Sequence, residues 1–199
     1  MSRLNAAKKI ILFLLLTSKL IVFSQKKDSC YAGVYLTQED FLANRLSFVI
    51  NKDAKGYKFG FPIPADWKLE IKIVRPDTVI KFKEGTVYGY SECGKVFRYF
   101  AGGELYADED FYRIEEIKGL VIYTSAFNGG DEFFYSHSLT DKIHRLKIKN
   151  IERDFKDKQE FVDAVKRLNK TGEHGNIEKR DKEGRFIINK IYEEKIKNK

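Results

Sequence analysis

Cys30 and Cys93 are the two cysteines of the 199-residue chain, and Cys93 sits in the stretch VYGYSECGKVFRYF, residues 87 to 100. A nucleophilic Cys93 needs a base and an electropositive, partly open setting. Lys95 and Arg98 supply charge, but no histidine is near in sequence. A bridge to Cys30 is the second reading. It would close a loop of about 64 residues, worth roughly 4 kcal/mol in the chain-entropy picture. Two free thiols are the third. The sequence leaves bridge and free thiols open.

Other chemistry is sparse. His137, His144 and His174 stand alone, without H-x-H, H-E-x-x-H or C-x-x-C spacing, so no metal site is expected from them. Acids gather at Glu104, at Asp108-Glu109-Asp110 and at Glu115-Glu116. A glycoside hydrolase sets two carboxylates across a cleft. These runs read instead as a wet loop and a wet strand edge. Ala107 to Asp110 offers oxygen ligands for calcium but lacks the spacing and glycine of a calcium loop. There is no G-x-S-x-G, phosphate-binding loop or dinucleotide fingerprint, and no cofactor or catalytic residue is assigned. The chain does hold 16 Phe and 11 Tyr, which either fill a small β core or present rings to a partner. Tyr88, Tyr90 and Tyr99, on the arms around Cys93, are the candidate aromatic binding surface.

Positioning these residues requires a fold, and its limits start at the N-terminus. Residues 1–24 combine a basic start (Arg3, Lys8, Lys9) with the apolar run IILFLLLTSKLIVFS. That is the pattern of a cleaved export signal. The run is shorter than the roughly 20 residues of a spanning helix, and Lys19 interrupts it. Cys30 follows Lys27-Asp28-Ser29, the wrong approach for lipidation. The mature chain, residues 25–199, is expected to be one domain outside the cytosol, periplasmic or secreted, where cysteines tend to pair. Loss of Arg3, Lys8, Lys9 and Lys19 lowers the formal charge from +8 to +4. That modest excess argues against nucleic acid as a partner.

Hydrophobic alternation then predicts strands. Tyr31 to Leu36 opens, and Thr37 caps a helical turn over Gln38 to Asn44. Arg45 to Asn51 places Leu46, Phe48 and Ile50 on one face, and Lys68 to Val74 alternates Leu69, Ile71 and Ile73 with charges. Further strands are expected at 57–61, 78–83, 112–118, 120–127, 132–138 and 143–148, with a hairpin turn at Asn128-Gly129-Gly130 and another at Cys93-Gly94. From about residue 150 the pattern turns helical, with Phe155, Phe161, Val162, Val165 and Leu168 on one stripe. Phe186 to Ile196 closes as strand or helix. The fold class is α+β: about eight antiparallel strands, a curved sheet or a barrel or sandwich, with C-terminal helical elements.

Gly33-Val34-Tyr35, Thr37 and Glu39-Asp40-Phe41-Leu42-Ala43-Asn44 resemble the opening of a group of small exported Bacteroidota proteins, in which a G-x-Y strand precedes an E-x-F-x-x-N turn. Val87-Tyr88-Gly89-Tyr90, Phe97-Arg98-Tyr99-Phe100, Tyr112-Arg113-Ile114 and Leu120-Val121-Ile122-Tyr123 extend the likeness over residues 31 to 127. The group has no established activity, so no catalytic residue carries over; the resemblance implies an envelope or secreted setting. Asp28-Ser29-Cys30 and Asp77-Thr78-Val79 resemble the short O-glycosylation pattern of those bacteria.

The function expected is that of a non-enzymatic envelope or secreted module binding a protein or glycan. An envelope glycan hydrolase using Glu104 and Glu115 is the alternative. A module for anionic envelope polymers is a third reading, from the +4 charge.

Overall fold

The computed structural model describes residues 29–60, 70–83, 85–101, 109–125, 132–170 and 176–197, leaving out the side chains of residues 109, 169 and 170. Residues 1–24, expected as an export signal, Glu104, Asp108, His174 and the turn expected at Asn128-Gly129-Gly130 lie outside the described residues.

Eleven strands form among them. They are β1 (Tyr31–Tyr35), β2 (Ser47–Asn51), β3 (Lys58–Gly60), β4 (Glu70–Arg75), β5 (Thr78–Lys83), β6 (Gly89–Glu92), β7 (Lys95–Ala101), β8 (Glu109–Glu116), β9 (Val121–Ser125), β10 (Phe133–Ser136) and β11 (His144–Arg145). Eight make one antiparallel sheet in the order β11-β10-β9-β8-β7-β6-β1-β2, with β11 and β2 at its edges. It is open, not a closed barrel. The other three form the meander β3-β4-β5. Helices are α1 (Gln38–Leu42), α2 (Ile148–Asp154), α3 (Gln159–Lys170) and α4 (Ile187–Tyr192). None of the described helices is long and apolar enough to cross a membrane.

Strand alternation divides the large sheet into two faces. One face is covered twice. Ala32, Val34, Tyr90, Phe97 and Phe111 pack there against Phe59, Ile71 and Ile73 of the meander. Further along, Leu120, Ile122 and Tyr135 pack against Ile151, Phe155, Phe161, Val165, Phe186 and Ile188 of the helical part. The opposite face holds Tyr112, Val121, Tyr123, Phe134 and Ile143.

Local chemistry explains several elements. The Thr37 hydroxyl accepts from the Asp40 N–H at 3.1 Å and caps α1. Ile71 and Ile73 are buried while Lys72 is partly solvated, the alternation of a half-wet strand. Phe186 to Ile196 resolves as helix α4 and a following wide turn, Glu193–Lys197.

Two expectations change. Val34 pairs with Ser47 but Ala32 pairs with Ile50, so β2 carries an extra residue there. Phe48 takes φ 55° at this bulge and turns to Phe82 of the meander, 5.2 Å between ring centroids. The row Leu46, Phe48, Ile50 is therefore broken: Ile50 is buried and Phe48 is 38% exposed. The strand expected over 143–148 shrinks to His144–Arg145, because Ile148 already begins α2 and packs with the helical core.

Candidate functional site

Cys30 and Cys93 are joined in a disulfide, with Cα atoms 4.4 Å apart. Cys93 and Gly94 form the two-residue turn between paired Glu92 and Lys95, with φ values of 49° and 78°. Positive φ at both positions is the requirement of the favoured hairpin turn. The Cys93 N–H donates to the Tyr31 carbonyl at 2.8 Å, and the Cys30 carbonyl accepts from Lys52 N–H at 2.8 Å. Lys52 is also paired with Glu92. The sulfurs thus tie the start of β1 to the β6-β7 turn beside the edge strand β2. With its sulfur bonded, Cys93 is not a nucleophile in this state.

Tyr88, Tyr90 and Tyr99 do not share one exposed surface. Tyr90 is 2% exposed and stacks on Phe97 at 4.2 Å, with Phe111 edge-on at 5.1 Å. Alternation points it under the meander, away from any exposed surface. Burial, with the charges of Glu92 and Asp110, drives its hydroxyl pKa up. Tyr99 is half-buried beside Phe111. Tyr88 packs on Phe41 of α1 at 5.2 Å, and its hydroxyl donates to the Leu139 carbonyl at 3.4 Å. The Tyr99 N–H donates to the Tyr88 carbonyl at 2.9 Å, and both residues line a depression of about 270 Å³ with Leu36, Gln38, Arg98, Phe100 and Thr140.

Arg98 is the unusual member of that wall. It is 3% exposed. Its guanidinium carbon lies 5.7 Å from the Tyr88 ring centroid and 5.6 Å from that of Phe100. Nη1 donates to the Tyr123 hydroxyl at 3.4 Å; Tyr123 meets Ser136 Oγ at 2.8 Å, and Ser136 donates to the Ser138 carbonyl at 2.5 Å. Burial keeps the Tyr123 hydroxyl above its ordinary pKa, despite the opposing pull of Ser136 and Arg98. Arg98 therefore leans on a neutral phenol. Among the described residues its Nε has no hydrogen-bond partner, and no carboxylate pairs with it.

The energetics make this arrangement informative. Taking an ion out of water costs several kcal/mol unless a counter-charge repays it. Contact with an aromatic face returns on the order of 0.5–2 kcal/mol. Among the described residues the guanidinium has two rings and one long hydrogen bond, its Nε–H is buried without a partner, and the residue lines the hollow. Such a group is suited to receive an anion.

Asp110 is a second buried charge on the same face. It was expected in a wet loop, yet it stands in β8 and is 6% exposed. Its carboxylate accepts from the Ser125 hydroxyl and, at 2.6 Å, from the Phe111 N–H. Burial pushes its pKa up to about 6, against those two hydrogen bonds. Its charge in turn helps burial to raise the Tyr112 hydroxyl. The sequence brings in Arg98 as a charge near Cys93 and Asp110 as one of an acidic run, but does not show that either is buried. The signal available for Arg98 was its parity: it alternates in step with Val96 and Phe100.

The remaining candidates are structural. Glu115 accepts from Arg113, from Thr124 at 3.0 Å and from Arg180 at 2.9 Å. Glu116 accepts from the Phe186 N–H at 2.9 Å and from Arg185 at 3.4 Å. Both clamp the C-terminal segment to β8. His137 packs on Phe155 at 4.7 Å, and His144 Nδ1 lies 2.9 Å from an Arg153 nitrogen. Among the described residues no three His, Cys, Asp or Glu gather to hold a metal ion.

Comparison with protein-family models, with curated proteins and with solved structures finds no match.

Proposed function

We propose that this chain is an exported, non-enzymatic binding module that takes an anionic ligand at the Arg98 depression. The observation that carries the binding half is Arg98 itself. A guanidinium is a fixed cation with five N–H donors, and here one donor is used among the described residues. A purely structural residue at this position would do better as an apolar side chain of similar volume. The disulfide supports the export half, since bridges persist in oxidising compartments. The modest positive charge of the chain favours the approach of anions. Glu115, which the hydrolase alternative would use with Glu104, is engaged by Arg113, Thr124 and Arg180.

Thermal denaturation tests the reading. A ligand that binds the folded state raises the midpoint, the stabilisation growing with the logarithm of one plus its concentration over Kd. Simple carboxylates are expected to raise it for the wild type and not for Arg98→Met. Equal shifts in both proteins would place the anion elsewhere.

A further inference from the structure

The ligand class follows from the other walls of the depression, and the inference rests on Arg98 being an anion site. We infer that the site takes a carboxylated sugar residue, of the uronic-acid kind. Among the described residues Arg98 is the one charged side chain lining the hollow, so the charge they present is a single positive one. A carboxylate matches it one to one, whereas a phosphate monoester brings about two negative charges, so inorganic phosphate is the discriminating probe. The space, about 270 Å³, falls just below the ~300–1,000 Å³ typical of pockets for drug-sized molecules. One sugar ring fits that scale. Tyr88 and Phe100, on the Arg98 side of the sheet, give the hollow aromatic walls for the apolar surface of a sugar, while Gln38 and Thr140 offer neutral hydrogen-bonding groups to its hydroxyls. Leu36 and Gln38 are exposed at the rim, so the hollow opens to the surface, where a sugar enters singly or as a unit of a chain.

Isothermal titration of the mature chain with D-glucuronic acid, D-glucose, acetate and inorganic phosphate tests this. Glucuronic acid is expected to bind at least ~10-fold more tightly than each of the others; the charge-assisted bond to Arg98 supplies the margin over glucose, and the ring and hydroxyl contacts supply the margin over acetate. Arg98→Met is expected to lose that factor or more, and Tyr88→Ala to bring glucuronic acid down to the level of acetate. Gln38→Ala, an exposed change that leaves the core untouched, is expected to weaken glucuronic acid and spare acetate; it serves if the buried variants fail to fold. Phosphate or acetate binding as tightly as glucuronic acid would overturn the sugar inference and leave the anion site standing. No binding by any probe, or undiminished binding by folded Arg98→Met, would overturn the anion site itself.

Discussion

The side-chain amide of Asn189 closes a ring of two hydrogen bonds with the main chain of Leu120, accepting from its N–H at 2.9 Å and donating to its carbonyl at 3.0 Å. Both residues are fully buried. Gly119, at φ 93°, makes room: a Cβ there would come within 2.9 Å of the amide oxygen. This contact docks α4 on the sheet. Asn189→Ala strands a buried donor and acceptor, at a cost of roughly 2–4 kcal/mol. Urea unfolding should show a lower midpoint with an unchanged slope. A midpoint equal to that of the wild type would mean the ring contributes nothing.

The disulfide closes a loop with a sequence separation of 63. Constraining that loop in the unfolded chain stabilises the fold by roughly 4 kcal/mol, less any strain. Cys30→Ser with Cys93→Ser should melt well below the wild type, and reductant should lower the wild type to the same midpoint. Equal midpoints with and without reductant would contradict it.

Asp110 makes stability depend on pH in an unusual direction. Its folded pKa of about 6 lies above its ordinary 3.8, so the folded chain holds the proton more tightly. Stability from this group is full below about pH 4 and is lost as pH rises toward 6, on the order of 2–3 kcal/mol. Asp154, whose pKa is lowered because bonds from Arg153 and Tyr135 outweigh its burial, works the opposite way at lower pH. The difference between wild type and Asp110→Asn isolates the first effect. That difference should grow in favour of the variant between pH 4 and 6.5 and stay flat above. A flat difference throughout would show Asp110 ionised normally.

Export predicts processing. Edman degradation of the chain recovered from the periplasm or medium of its native cells should begin at Gln25. Recovery of Met1 or Ser2 from a cytosolic pool would contradict it.

How much of this was readable depends on range. The Thr37 cap and the Cys93-Gly94 turn involve neighbours in sequence, and both form as residue types dictate. The alternation of Ile71 and Ile73 likewise needs only strand geometry. The burial of Tyr90 and Arg98 does not. It depends on which cover each face of β7 and β6 receives, and the meander over Tyr90 comes from residues 58–83. The burial of Arg98 gave no sign because arginine is usually exposed, although Val96 and Phe100 share its face. Asp110 was hidden for the same reason: Ser125, which accommodates it, arrives from the next strand. The Phe48 bulge had no signal, since a positive φ at phenylalanine runs against local preference.

The most direct test follows the guanidinium itself. In nitrogen-15 arginine-labelled mature chain, the Nε–H resonance of Arg98 is identified by its absence in Arg98→Met. Titration with glucuronic acid should move that resonance in a saturable way while those of Arg113, Arg153 and Arg180 hold still. If Arg98 stays fixed, or if all arginines drift together with added salt, the depression is not a ligand site.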